Sequence, residues 1–248
     1  MDVYALTLRD ALATLLSGVL AFALVKSLET LAAQKALTTL ECRKIVHMST
    51  GPLFVLTWPL FSAGLLARWC AALVPFLNGA RLILIASGVL QSEATLKAVS
   101  RFGSRQELLR GPLLYIAIVV SVTLLFWRES PIGLLALCLM CGGDGLADIV
   151  GRRYGSAKLP FNHSKSWVGS LAMFTGGGVL SMTYIALFHK LGYFAANARS
   201  MMPVIWATSF VATVIEALPI HQRLDDNLTV PLVSAAVGQL LMRCLHIA

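Results

Sequence analysis

The chain has 248 residues, of which 57% are apolar and 13% charged, whereas an ordinary soluble domain carries about 45–50% and about 25%. Such a composition excludes a water-soluble globular enzyme. The formal charge of +8 names no partner by its sign, because membrane proteins gather Lys and Arg in the loops of one side; a nucleic-acid partner is not expected.

A membrane span needs about 20 predominantly apolar residues. Windows of that kind place helices at 4–28, 48–66, 69–90, 112–128, 132–150, 167–189, 203–218 and 228–246. We therefore expect an all-α, polytopic transmembrane bundle of seven to eight spans, forming a single domain over 1–248. The opening stretch to Val25 runs directly into a full-length apolar segment, so no cleavable signal or transit peptide is expected at this start. Cys42, Cys70, Cys138, Cys141 and Cys244 are odd in number and scattered, which argues against a disulfide framework. Cys138 and Cys141 lack the second pair that a zinc site needs and read as packing residues.

Threading the chain back and forth puts Lys26, Lys35, Arg43, Lys44, Lys97, Arg101, Arg105, Arg110, Arg152, Arg153, Lys158, Lys165 and Arg223 on one side. The other side holds Arg9, Arg68, Arg128, Lys190, Arg199 and Arg243, and Arg81 falls inside a helix. The positive-inside tendency turns the first set toward the cytoplasm or its organellar equivalent. Every polar cluster of chemical interest falls on that basic side.

The first cluster, Arg43, Lys44 and His47, stands at the entrance of the second helix. It reads more often as a headgroup contact than as part of a catalytic site. Arg81, mid-segment in the third helix, should seek a carboxylate or a phosphate inside the bundle. Glu107, between Arg105 and Arg110, balances its neighbours.

The most informative run is Gly142-Gly143-Asp144-Gly145-Leu146-Ala147-Asp148-Ile149-Val150-Gly151-Arg152-Arg153-Tyr154-Gly155. Carboxylates four residues apart share one helix face and can ligate one divalent cation or a close pair. Counted from Ile132, Asp144 lies about 18 Å and Asp148 about 24 Å into a hydrocarbon core of about 30 Å. An acidic pair at that depth is costly unless it is paired or metal-bound, and Arg81 or Arg152 is the architectural alternative to a metal. Gly142, Gly143 and Gly145 remove side chains that would hold a phosphate off the backbone, and they let the helix unwind locally. Arg152, Arg153, Lys158 and Lys165 follow within fourteen residues. A metal held by aspartates beside a basic loop suits phosphoryl transfer, which needs positioning and charge neutralisation; the same cations also serve as topology determinants. Gly176, Gly177 and Gly178 read as close helix packing.

A second acidic group comprises Glu216 at the end of the seventh helix and Asp225-Asp226-Asn227 before the eighth. Asp226 or Asn227 suits the N-cap. Two acids and an amide together exceed capping, and their oxygens either complete a metal shell or orient or deprotonate a hydroxyl.

The chain has no G-x-x-x-x-G-K-[ST] loop and no soluble-kinase signature. CDP-linked alcohol phosphotransferases place their aspartates at other spacings, and a secondary transporter would show inverted repeats with broken helices. Arg-Lys-x-x-His at 43–47, Glu107-Leu108-Leu109-Arg110-Gly111-Pro112-Leu113, the run from Gly143 to Gly155 with Lys165-Ser166 behind it, and Glu216-Ala217-Leu218-Pro219 with Asp225-Asp226-Asn227 closely resemble the polyprenol kinase family. The likeness spans about 40–231 and is nearest to the plant phytol kinases, with farnesol kinases next and dolichol kinases more distant.

That resemblance implies phosphorylation of the hydroxyl of an isoprenoid alcohol such as phytol, with CTP as donor, Mg²⁺, and a plastid membrane as home. The product, phytyl phosphate, would feed tocopherol-linked phytol salvage. On this footing Asp144 and Asp148 are expected to hold the metal. Arg152, Arg153 and Lys165 would neutralise the nucleotide's phosphates, and Asp225 or Asp226 would position the hydroxyl. Arg43, Lys44, His47, Gly143, Gly145 and Asn227 complete the expected nucleotide-side set.

Overall fold

The computed structural model describes residues 7–34, 36–100, 103–219 and 225–247; Arg101 and Arg223 of the basic side, and Lys35, lie outside them. The packing divides into two compact units, Met1–Trp127 and Arg128–Ala248, at a boundary that no change of composition marks.

The first unit contains α1 (Leu8–Ala33), α2 (Thr39–Thr57), α3 (Ala67–Ala86), the short α4 (Glu93–Val99) and α5 (Gly111–Leu125). Helix α1 packs on α2 and α3, α3 on α5, and α4 on α2 and α1. The sequence placed the second helix at 48–66, but it begins nine residues earlier. A capping box sets that start: Glu41 N donates to Thr38 Oγ1 at 3.2 Å and Thr38 N donates to Glu41 Oε2 at 2.9 Å, satisfying two backbone donors that a bare helix end leaves orphaned. Arg43, Lys44 and His47 therefore lie within the helix rather than before it. Asp10, buried in α1, accepts from Ser62 N and Ser62 Oγ, both at 2.8 Å, which pins the α2–α3 connection.

The second unit contains α6 (Pro131–Cys138), α7 (Asp144–Tyr154), a hairpin of β1 (Lys158–Leu159) and β2 (Asn162–Ser166), then α8 (Trp167–Lys190), α9 (Met202–Ala217) and α10 (Asp226–Cys244). All eight residues of α6 are buried. A helix apolar on every side belongs at the centre of a bundle, and α8 and α10 pack around it while α9 joins α8 to α10. The hairpin is absent from the sequence reading, because Asn162-His163-Ser164-Lys165-Ser166 has neither alternation nor β-branched residues. Pairing of Lys158 with Ser166 and Leu159 with Asn162 closes it around Pro160 and Phe161.

Among the described residues, five helices are long and apolar enough to cross a membrane: Leu8–Leu31, Ala67–Ala86, Arg105–Leu125, Pro131–Tyr154 and Trp167–Lys190. Helix α9 is apolar but shorter. The result is a helical membrane protein, and its five cysteines form no disulfide.

Candidate active site

The span Pro131–Tyr154 does not run as one α-helix. After α6 it widens into a single π-helical turn, Leu139–Gly143, and resumes as α7 at Asp144. Such turns inside α-helices re-aim the residues that follow and occur often at functional sites. Local unwinding was expected at the glycines; the helix stays wound and broadens instead. The glycines serve packing here, since a methyl group on Gly143 would meet Met173 Cγ at 3.3 Å and Gly177 Cα at 3.6 Å, and one on Gly142 would strike Leu180. Both turn toward α8, and Gly145 is buried. The structure thus gives Gly142 and Gly143 to the contact of the π-helical turn with α8 rather than to an open phosphate cradle.

The same contact runs on through α7. A methyl on Gly169 would lie 2.9 Å from the Ala147 carbonyl and 3.2 Å from Gly151 Cα, so two backbones meet with no side chain between them. Gly176 and Gly178 face Leu146 and Trp206, the close packing expected of them.

Asp144 opens α7 and is 4% exposed. Asp148, one turn on, is less enclosed and accepts from Arg152 Nε at 2.9 Å, the architectural pairing weighed from the sequence. The Arg153 guanidinium lies 5.6 Å from the Tyr154 ring centroid.

The hairpin carries the principal cation to the acids. Lys165 forms an ion pair with Glu216, which is 1% exposed at the last turn of α9. Asn162 Nδ2 donates to the Ala217 carbonyl at 2.9 Å and fastens the hairpin to the same helix end. Burial opposes the Lys165 charge, but Glu216, Asp144 and Asp226 outweigh it and hold the ammonium above its ordinary pKa. Lys165 is thus paired with an acid of α9 and lies within the field of acids on α7 and α10.

At the start of α10 the N-cap is Asp225, not Asp226 or Asn227 as the sequence suggested. Its Oδ1 accepts from Asn227 N at 2.9 Å and from Asn227 Nδ2 at 2.8 Å. Asp226 Oδ1 also accepts from Asn227 N, at 3.0 Å, and its charge favours the Lys165 ammonium.

Among the described residues no group of three or more His, Cys, Asp or Glu forms a protein-only metal cage. Mg²⁺ rarely needs one: it is held by one or two carboxylates, with waters and substrate phosphates filling its octahedron. A buried acid and a second one a helical turn away fit that donor set.

Arg43, Lys44 and His47 belong to the first unit. Lys44 is buried; the His47 ring packs at a tilt against Tyr115, centroids 4.6 Å apart, and the Tyr115 hydroxyl donates to the His47 carbonyl at 3.0 Å. Arg81 Nη2 donates to Thr95 Oγ1 at 2.9 Å, and Thr95 in turn donates to Glu29 at 3.4 Å. The acid that Arg81 was expected to seek is thus reached through a hydroxyl.

The chain is 46% identical over 234 residues to a probable phytol kinase, chloroplastic, of Triticum aestivum, covering 94% of this chain and 78% of the relative. It is 44% identical over 220 residues to phytol kinase 1, chloroplastic, of Arabidopsis thaliana, covering 89% and 72%. The chain belongs to the phytol kinase family. A farnesol kinase, chloroplastic, of Arabidopsis thaliana is also 44% identical, over 199 residues, covering 80% of this chain and 64% of that relative. No family model matches, and no solved structure matches.

In this phytol kinase family member Glu216 enters the site as the partner of Lys165, and Asn162 as the anchor of its hairpin. The signal for Glu216 was available: a lone acid ending an apolar helix should have a cationic partner. Nothing local marked Asn162, whose partner stands 55 positions away.

Proposed function

We propose that the protein is a kinase of chloroplast membranes that phosphorylates the hydroxyl of phytol, with CTP as the phosphoryl donor and Mg²⁺ as the metal. The observation that carries this reading is the ion pair of Lys165 with the buried Glu216, together with the buried Asp144, whose charge with that of Asp226 favours the ammonium. An apolar membrane interior tolerates such a cluster when it has work to do.

In this reading Asp144 and Asp148 would hold Mg²⁺, which would supply charge neutralisation for the donor's phosphates. Lys165 stays cationic through the physiological range and draws the terminal phosphate toward the acids. Glu216 and Asn162 fix where that ammonium sits, while Arg152 and Arg153 line the exit of α7 for the remaining phosphates. Asp226 accepts the proton of the prenyl hydroxyl as its oxygen forms a bond to the γ-phosphorus. The bond from that phosphorus to the β–γ bridging oxygen breaks, and the nucleoside diphosphate leaves. Asp225 holds the entrance of α10 so that Asp226 is presented correctly.

The test is a matrix of CTP, ATP, GTP and UTP against phytol, farnesol and geranylgeraniol, with purified protein in detergent or nanodiscs. The reading expects phytyl phosphate to form fastest from CTP. Farnesol as the preferred acceptor would move the protein to the farnesol kinase branch. No transfer from any nucleotide would overturn the proposal.

A further inference from the structure

Helices α1, α2, α3 and α5 of the first unit enclose a cavity of about 560 Å³, within the range of about 300–1,000 Å³ typical of small-molecule sites. Val19, Phe22 and Leu77 line it and are also exposed, so it opens sideways, where a helical membrane protein meets acyl chains rather than water. One end is charged. There Lys26 Nζ donates to Glu29 Oε2 at 2.7 Å, with Glu29 8% exposed, and this pair cancels its own charge. Arg81 also lines the cavity. Its Nη2 donates to the neutral Thr95 hydroxyl at 2.9 Å, and among the described residues it forms no ion pair. The charged end therefore carries one surplus positive charge.

We propose that this cavity holds one acyl chain of an anionic bilayer lipid, whose singly charged phosphodiester sits against Arg81. Depth supports the pairing. Helix α1 has 26 residues, about 39 Å at about 1.5 Å per residue, against about 40–45 Å for a bilayer with its headgroups. Lys26 stands about 10 Å before the end of α1 at Ala33, and Arg81 about 8 Å before the end of α3 at Ala86, by the same rise. Both ends lead into connections on the basic side, the leaflet where anionic headgroups gather beside cations. At that depth, just below the headgroup layer, a long cationic side chain reaches up to phosphate oxygens. The planar fork of Arg takes two such oxygens at once. A zwitterionic headgroup brings no net charge and leaves the surplus of Arg81 in place, whereas a phosphodiester with one negative charge cancels it. The site lies wholly within the first unit, and its lipid takes no part in the phosphoryl transfer proposed above.

The test photolabels the full chain, purified in detergent, with a phosphatidylglycerol that carries a diazirine on one acyl chain. Label within 14–29 and 74–81, the lining segments of α1 and α3, supports the proposal when unlabelled phosphatidylglycerol competes about tenfold better than phosphatidylcholine. Label elsewhere, or equal competition by the two lipids, overturns it. Stronger competition by phytyl phosphate than by phosphatidylglycerol also overturns it, since the cavity would then belong to a ligand of the kinase. Arg81→Gln should bring the ratio of the two lipids down toward one, while Lys97→Gln, whose side chain is 75% exposed, should keep it. Equal falls in both variants would reduce the effect to general attraction by a basic surface and overturn the site. Gly18 lines the same cavity, and a methyl group built on it meets nothing within 4 Å, so a phenyl ring there takes the space of the acyl chain. Gly18→Phe should abolish the label in both segments with every charge kept, which decides the proposal even if Arg81→Gln fails to fold. Label retained in Gly18→Phe, or an unchanged ratio in Arg81→Gln, overturns it.

Discussion

Lys165 on the β-hairpin is paired with Glu216 at the last turn of α9, and the same ammonium is drawn by Asp144 and Asp226. This cation therefore binds α9 directly and feels the charges of acids on α7 and α10. Removing it exposes like charges to one another in a medium that screens them poorly. Lys165→Met should lower kcat by about a hundredfold or more and reduce stability by about 3 kcal/mol, as breaking a buried pair leaves an uncompensated acid. Detergent-solubilised thermal melts and single-turnover assays on one preparation read both effects.

The pH dependence of that stability has a definite sign. The Lys165 pKa is raised in the folded protein, so its contribution is fully present below the unfolded value of about 10.4. It is lost as pH rises through the folded value. The difference in melting temperature between wild type and Lys165→Met should hold constant from pH 7 to 9 and shrink only in stronger alkali. A difference that vanishes near pH 8 would contradict the raised pKa.

Asp225 and Asp226 should separate cleanly. Asp225→Ala removes a cap and should cost about 1 kcal/mol of stability with kcat changed only a few-fold. Asp226→Asn should keep the melting temperature and lose about 10²–10⁴ in kcat, the usual contribution of a general base. Measuring both quantities on both variants distinguishes the roles; a reversed pattern would exchange them.

Close approach of α7 and α8 supplies a prediction about support rather than chemistry. Gly169→Ala places a methyl 2.9 Å from the Ala147 carbonyl, and backbone atoms have little room to give. The substitution should cost about 1–3 kcal/mol and lower kcat by displacing Asp144 and Asp148. Melting curves and the Mg²⁺ concentration for half-maximal rate, which should rise, check it.

Much of this was legible in the sequence. Long apolar windows located α1, α3, α5 and α8 within a few residues, because hydrocarbon thickness fixes their length, and the shorter α9 stood out by its apolar run. Asp144, Lys165 and Asp226 stood out as charges in or beside apolar segments, where charge is expensive. Less was legible where the decisive interaction is distant or depends on backbone shape. The β-hairpin carries no alternating pattern, the π-helical turn before Asp144 has no periodic signature, and the glycines of 142–143 look alike whether they face a phosphate or Met173. The Thr38–Glu41 capping box was readable, and its omission misplaced the start of α2.

The most direct measurement is transfer of radiolabel from the γ-phosphate of CTP to phytol by purified protein with Mg²⁺, comparing wild type with Asp144→Asn. The account predicts labelled phytyl phosphate from the wild type and about 10²–10³-fold less from the variant, with both inserted and melting alike. Equal turnover by the two proteins would contradict it.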